Sequence, residues 1–472
     1  MSEAVSMEAE ALAEGTHGKT QRGDLTQGPI LRTLLLFSIP MLLSNVLQTL
    51  NGSINTIWVG RLLGESALAA TANANIVMFL VIAATIGLGM ATTVRVGQHF
   101  GARDIEALRA TFGTGLGLCV ALSAVTGALG WYFSPALLDA LGTPKASVHE
   151  ALAYLRVIFV TVPFGVMSMI ISMALRGAGD SKTPLYAMIL TVMLDIVLNP
   201  LLIMGLGPVP SLGIAGSAMA TAFANFSGTM FQIRQIYRKD LPLRLRGAEL
   251  RYVIPRSEEL KYIVTKGVPM GAQMLLFSSA GVIMIGLVNR EGLNAAAAYG
   301  ASLQLWNYLQ MPAFAVGSAV SAMVAQTLGA GNHARVGAVT RVGVLSNLAM
   351  TTTLAAIIVL ADHPLLALFL GGNSPAMPIA ERIQLICTCA YLFMSVTMIL
   401  SGTMRAYGAV VAPLIIMAIA LYPARLGFYY ALYPQMGGDA VWWAFPVGGI
   451  ASMLLTIAYY TKGNWRRAFA KD

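Results

Sequence analysis

Residues 176–184 read RGAGDSKTP, and residues 405–413 read RAYGAVVAP. One constant shift along the chain lays Arg176 on Arg405, Gly179 on Gly408 and Pro184 on Pro413. The same shift superposes Pro40 on Pro269, Pro135 on Pro364 and Gly142 on Gly371. One residue of slip then brings Gln98-His99-Phe100-Gly101-Ala102 onto Gln326-Thr327-Leu328-Gly329-Ala330. The matches hold one register across most of each half and involve Pro, Gly and Arg, not interchangeable aliphatics. The chain is therefore read as two copies of one unit, an arrangement that suits a transporter with a central site at the repeat interface.

Composition says what the unit is made of. The chain is 57% hydrophobic and 11% charged, with mean hydropathy +0.70, whereas an ordinary soluble domain is about 25% charged. A spanning helix needs about 20 mostly apolar residues. Twelve such runs are expected, roughly at 32–58, 67–93, 108–131, 149–173, 184–206, 213–236, 260–288, 295–322, 337–361, 379–402, 411–433 and 440–461. Six spans per copy return the chain to its starting side, so the halves share orientation and are related by an axis along the membrane normal. The expected fold is an all-α polytopic membrane protein, with twelve transmembrane helices forming two six-helix parallel repeats around a central cleft. Residues 28–236 form one lobe and 260–472 the other, joined by a basic linker, 237–259, that carries Pro242 and Pro255. Residues 1–27 are polar, with Glu3, Glu8, Glu10 and Glu14 and no apolar core, which predicts a disordered cytoplasmic tail and no signal peptide.

The net charge of +9 reports topology. Basic residues gather in alternate loops: Arg103 and Arg109, Arg176 and Lys182, the segment Arg234–Lys266, Arg335 and Arg341, Arg405, then Lys462, Arg466 and Arg467. By the positive-inside rule both termini are cytoplasmic, in a multi-pass protein of the cell (inner) membrane. No nucleic-acid partner is expected. Cys119, Cys387 and Cys389 fall within spans, and the five histidines lie in the tail or near loops, with no metal spacing among them. Nucleophile–base pairs and phosphate loops are also missing from the pattern, so the reading is non-enzymatic and without a cofactor.

Asp195, in the run LTVMLDIVLNPLLI (190–203), is the only carboxylate well inside an apolar segment. In hydrocarbon an ionised carboxylate is costly, so it must face a cavity, carry a proton or bind a cation. Asn199 follows at i+4 on the same helix face. On the first span Gln48, Asn51 and Asn55 are spaced i, i+3 and i+7 as a polar stripe, and Thr221 and Asn225 make an i, i+4 pair on the sixth. A carboxylate in such a low-dielectric ring can hold a proton near neutral pH, while the neutral oxygens can instead hold sodium. The candidate coupling residues are Asp195, Asn199, Asn55 and Thr221, with no other metal ion implied. Gln48, Asn51 and Asn225, and from the second copy Gln273, Gln304 and Asn307 beside Trp306, are the candidate lining of a substrate cleft. Arg425, in LYPARLGFYY (421–430), sits near the repeat-equivalent level of Asp195 and is expected to reach toward the membrane interface or neighbouring carbonyls, the alternative being a pair with a carboxylate or a substrate anion.

Several stretches resemble the multidrug and toxic compound extrusion family. They are Gly28-Pro29-Ile30, Ser38-Ile39-Pro40 and the run SNVLQTLNGSINTIWVGRLLGESALAA (44–70), then GQHFGARD (97–104), AQTLGAGN (325–332) and LRGAGDSKTP (175–184). The end, RLGFYYALYPQMGGDAVWWAFP (425–446) followed by TKGNWRR (461–467), is similar to the branch named for the DNA-damage-inducible protein F. The resemblance covers about residues 28–467 and implies an antiporter that exports amphipathic or cationic compounds while protons or sodium ions enter, coupled in the N-terminal lobe. In that branch carboxylates usually stand on the first and fifth helices. Here the first-helix position falls on Asn55, and the fifth helix has Asp195, three residues, then Asn199 before Pro200, the reverse of the usual order. The segments GVPMGAQMLLFSSAGVIMIG (267–286) of the seventh span and ICTCAYLFMSVTMILSGTMR (386–405) of the tenth carry no acid, which leaves the C-terminal-lobe acidic positions of the sodium-coupled branch unmatched. A small organic molecule and the lipid bilayer are the expected partners, and a monomer the expected state. The competing reading is a flippase for a lipid-linked precursor, which would line the cleft with several cations; the spans offer mainly Arg425 and Arg156.

Overall fold

The computed structural model describes residues 23–140, 145–205 and 210–469. Gly142 and the expected tail up to residue 22 lie outside the described residues. Within them the chain is helical, with no strand. The first lobe comprises α1 (Ile30–Leu63), α2 (Glu65–Gly101), α3 (Ile105–Ala140), α4 (Lys145–Gly177), α5 (Lys182–Met204) and α6 (Gly213–Arg238). The second comprises α7 (Ser257–Arg290), α8 (Leu293–Gly329), α9 (His333–Leu360), a short α10 (Asp362–Leu370), α11 (Met377–Ala406), α12 (Val411–Met436) and α13 (Asp439–Lys462). Ten of these are long and apolar enough to cross a membrane. The expected spans 67–93 and 213–236 are the remaining two long helices, α2 and α6, so the twelve-span architecture stands.

Local sequence explains the boundaries. Gly64 alone joins α1 to α2, and Glu291-Gly292 joins α7 to α8; Gly64 has φ 86° and Gly292 φ 103°, a pair related by the slipped register of the repeat. Only glycine adopts such angles without penalty, so each copy can reverse direction within one or two residues. Asp180 caps α5 by accepting from the Lys182 and Thr183 amides, and Asn332 caps α9 by accepting from the Arg335 amide. Two irregularities break the second copy. Helix α11 is interrupted at Thr388, and α12 contains a π-helical turn, Ala420–Ala424, just before Arg425.

The linker is not a loose tether. Leu241, Leu243, Leu245 and Tyr252 are buried in one cluster with Leu108, Phe112 and Leu175 of the first lobe. Its 3₁₀ turn, Gly247–Val253, lies against α3, where Arg109 donates to Glu249 at 2.6 Å. Residues 23–27 also depart from the disordered tail expected over 1–27. Leu25 is buried, and its amide donates to Gln326 Oε1 at 2.9 Å. An apolar side chain and a satisfied amide together fix that segment on α8.

The lobes meet closely at the end of the bundle that carries the linker. Gln98 of α2 donates through Nε2 to the Ala406 carbonyl at the end of α11, and Gln326 of α8 donates to the Gly177 carbonyl at the end of α4, both at 2.9 Å. The repeat shift lays Gly177 on Ala406, so these are one bond made twice, once in each direction. The carbonyls at a helix C-terminus lack intrahelical partners, and here the opposite lobe supplies them. Between these bonds the backbones touch: a Cβ on Gly101 would stand 1.9 Å from the Gln326 oxygen, and one on Gly329 would stand 1.8 Å from the Gln98 oxygen. No side chain fits in either gap.

Both contacts can be tested. Gly329→Ala should push the lobes apart at this end, read as a longer distance between spin labels at residues 102 and 333 than in the parent protein; an unchanged distance distribution would refute the wedge. In the linker, the Arg246 amide first and then the Arg109 guanidinium hold the Glu249 carboxyl below the usual carboxylate range. A lowered folded value stabilises the clamp above that range and loses it as pH falls through it. Protection from hydrogen exchange over residues 247–253, taken relative to the intrinsic rate at each pH, should therefore be high at neutral pH and fall in acid, and Glu249→Gln should show the low protection at both.

Candidate functional site

The polar stripe on α1 meets α5 and α6 inside the first lobe. Asp195, fully buried on α5, accepts from four side chains on three helices. Asn51 and Asn55 donate through Nδ2 to Oδ2, each at 2.8 Å. On Oδ1 the donors are Thr221 Oγ1 at 3.0 Å and Asn199 Nδ2 at 2.9 Å. The ring is closed by two further bonds, from Asn199 Nδ2 to Asn55 Oδ1 at 2.9 Å and from Asn55 Nδ2 to Thr221 Oγ1 at 3.3 Å. Every donor is neutral, and the carboxylate has no ion pair among the described residues.

The spacing on each helix produces this convergence. Asn51 and Asn55, four apart, project from one face of α1, as Asp195 and Asn199 do on α5. Pro200 follows immediately and lacks an amide, so the Ile196 carbonyl has no helical donor at this level. Thr221 on α6 stands beside Asp195, and Asn225 lies one turn further along the same face, its Nδ2 3.9 Å from where a Cβ on Gly165 of α4 would be. Two carbonyl oxygens in the ring, Asn51 Oδ1 and Asn199 Oδ1, are buried with no donor. A buried acceptor without a partner costs free energy, so the ring is incomplete as it stands. Tyr154 on α4 also lies within reach of the Asp195 charge; its place in a span gave no periodic signal that would have singled it out.

Chemically, four donors on one carboxylate suit the ionised form, which only accepts. A cation entering the ring would find the Asp195 carboxylate and the spare Asn51 and Asn199 oxygens. Among the described residues no group of three or more His, Cys, Asp or Glu could hold a metal ion, and the additional ligands at hand are neutral oxygens, those of the asparagines and threonine among them.

The expected cleft residues divide. Gln48 lies one turn before Asn51 on α1, exposed and bonded to nothing among the described residues. Gln304 and Asn307 are likewise exposed on α8. Gln273 differs: it is buried, and its Nε2 lies 3.3 Å from the Val410 carbonyl, tying α7 to the loop before α12. Trp306 is fully buried, its indole N–H donating to Gln384 Oε1 at 3.0 Å, so it belongs to the second lobe's core and not to a cleft wall. Arg425 also departs from the expectation that it reaches for the interface or nearby carbonyls. Its guanidinium carbon lies 3.5 Å from the centre of the Phe445 ring, inside the second lobe, and it makes no hydrogen bond or ion pair among the described residues.

Known proteins agree with this architecture. The MatE family model matches residues 40–201 and 269–431, once in each lobe. The chain is 35% identical over 431 residues to the probable multidrug resistance protein YoeA of Bacillus subtilis, covering 91% of this chain and 93% of the relative. It is 30% identical over 444 residues to the probable multidrug resistance protein YpnP of the same organism, covering 94% and 97%. A solved MOP superfamily transporter from Pyrococcus furiosus superposes with a TM-score of 0.85 over 96% of this chain and 100% of its own, at 24% identity. The duplication seen in the helices is thus the duplication the family model matches, and this chain belongs to the MATE family of multidrug efflux transporters.

Proposed function

We propose that the protein is a secondary active antiporter that exports amphipathic or cationic organic compounds in exchange for protons or sodium ions, coupled through Asp195. The observation that carries this reading is a fully buried carboxylate held by four neutral donors from three helices. Its membrane would be the cell (inner) membrane, with both termini cytoplasmic and the protein acting as a monomer. The basic linker and terminal segments support that orientation.

The ring supplies a route from ion binding to helix movement. A proton on Asp195 Oδ1 would turn an acceptor into a donor and face the Thr221 hydroxyl 3.0 Å away. Thr221 must then rotate to accept, which also disturbs the bond it receives from Asn55. A sodium ion would act on the same groups by drawing their oxygens inward. Either ion rearranges contacts among α1, α5 and α6 at once, and it can shift the cleft only by the difference in its affinity for the two geometries. Gln48, Asn51 and Asn225 from the first lobe, with Gln304 and Asn307 from the second, are the groups proposed to meet substrate in that cleft.

Reconstituted protein tests this directly. In liposomes with an imposed pH gradient or, separately, an imposed sodium gradient, one of the two should drive ethidium transport, and Asp195→Asn should abolish it without altering the size-exclusion profile. Drive by neither gradient would overturn the antiporter and favour the flippase; full activity of the variant would remove Asp195 from coupling. Asn55→Leu, which deletes one donor to Asp195 and the acceptor for Asn199, should slow transport about 10-fold or more. Thr49→Val serves as the contrast, since Thr49 is exposed on α1 and donates only to the Asn45 carbonyl of its own helix, and the same rates should show a change of less than about 2-fold.

A further inference from the structure

The side-chain amide of Gln326 makes two bonds, and only one of them is mirrored in the other copy. Its Nε2 donates to the Gly177 carbonyl across the seam between the lobes, as that of Gln98 does to Ala406. The two side-chain oxygens differ in their partners. Gln98 Oε1 accepts from Arg95, one turn back on α2, at 3.4 Å. The slipped register of the repeat lays Arg95 on Met323, which has no donor, so α8 cannot meet the Gln326 oxygen in the same way. The Leu25 amide meets it instead, at 2.9 Å, from the segment ahead of α1.

That segment crosses the seam and touches both lobes. On the first-lobe side Gly23 lies backbone to backbone on the turn after α4: a Cβ on Gly23 would stand 2.3 Å from the Ala178 oxygen, and one on Gly179 would stand 1.8 Å from the Gly23 oxygen. On the second-lobe side Leu25 is buried in one cluster with Ala322, Met323 and Tyr407, and the Gly28 carbonyl accepts from Arg335 of α9 at 2.7 Å. Asp24 shapes the crossing by accepting from both the amide and the hydroxyl of Thr26. Beneath the crossing lies a cavity of about 360 Å³, lined by Asp24, Thr26 and Gln27 from the segment and by Gly101 and Gly329 from the two lobes. The segment is therefore held at a few points and not by continuous packing.

We propose that residues 23–28 form a strap that holds the linker end of the two lobes shut and must let go of one lobe before that end can open. Parting Gln326 from Gly177 separates the two surfaces that the strap touches, so it cannot keep both. Its hold on the second lobe is one buried apolar side chain and two hydrogen bonds, each of which can be given up. Release also strips the Gln326 oxygen of its donor, and a buried acceptor left unmet costs free energy, so the strap and the seam bond support one another. The strap sets which geometry the empty protein prefers; it rests on the antiport reading only in that such an exporter opens at this end.

Spin labels at residues 238 and 462, exposed at the ends of α6 and α13, report the width of this end. The full chain is measured in nanodiscs with no ethidium and no ion gradient. Leu25→Ser, which removes the buried anchor, should raise the ratio of long to short distances about 10-fold or more over the parent. Arg335→Ala, which removes the donor to Gly28, should raise it about 3-fold or more. Gln27→Ala is the contrast: Gln27 is exposed and makes no hydrogen bond among the described residues, so the ratio should stay within about 2-fold. Ratios within about 2-fold of the parent in both anchor variants overturn the strap, as does a rise in Gln27→Ala equal to theirs. If Leu25→Ser does not insert, Arg335→Ala decides alone, because it leaves the apolar anchor in place. Failure here leaves ethidium antiport intact, and failure of antiport leaves these distances standing.

Discussion

The reciprocal approach of Gly101 to Gln326 and Gly329 to Gln98 governs how the two lobes can sit. Two helices can come within backbone contact only where neither presents a side chain, and each copy of the repeat places its glycine opposite the other copy's glutamine. The glutamine amides then bond the helix ends that the approach exposes, on Ala406 and Gly177. Contact and hydrogen bond reinforce each other: the bonds need the close approach, and the approach would bury bare carbonyls without the bonds. Because the arrangement is symmetric, a rotation that loosens one contact loosens its mate, so this end of the molecule opens or closes as a unit.

The Asp195 ring lies elsewhere in the first lobe and obeys another logic. Its donors come from α1, α5 and α6, and a single ion can change several of their mutual bonds. Polar groups between helices in a membrane are worth modest free energies singly, but here they share one acceptor. Loss or gain of charge at that acceptor therefore acts on several contacts together, which fits a group that must report an ion to a whole lobe.

Much of this was legible in the chain. Arg176, Gly179 and Pro184 repeat as Arg405, Gly408 and Pro413 because they stand at corresponding helix ends and turns, while Pro40 and Pro269 repeat inside the first helix of each copy. Asp195, Asn199, Asn55 and Thr221 could be grouped from the sequence because i, i+4 spacing sets which side chains share a helix face, whereas Asn51, expected to line the cleft, donates to Asp195. What could not be read depends on tertiary placement. Gln273 and Gln304 look alike in sequence, yet one bonds Val410 and the other stays exposed, because only the packing of α7 against the neighbouring loop decides it. The cross-lobe partners of Gln98 and Gln326 needed the relative orientation of the two copies. The interruption at Thr388 and the π turn before Arg425 left no mark in the hydrophobic pattern.

That π turn bears on how duplicated proteins diverge. In a regular helix one inserted residue turns every later side chain by about 100°, which would drag a lobe's packed faces out of register. Confined to a π turn, the same insertion is absorbed within a few residues, and the helix beyond keeps its seat. A single added codon in one copy of a duplicated gene can thus bring a new side chain to the middle of a lobe while the rest of its frame is inherited unchanged. Functional asymmetry between twin halves can in this way arise in one small step, without any remodelling of the scaffold that the halves share.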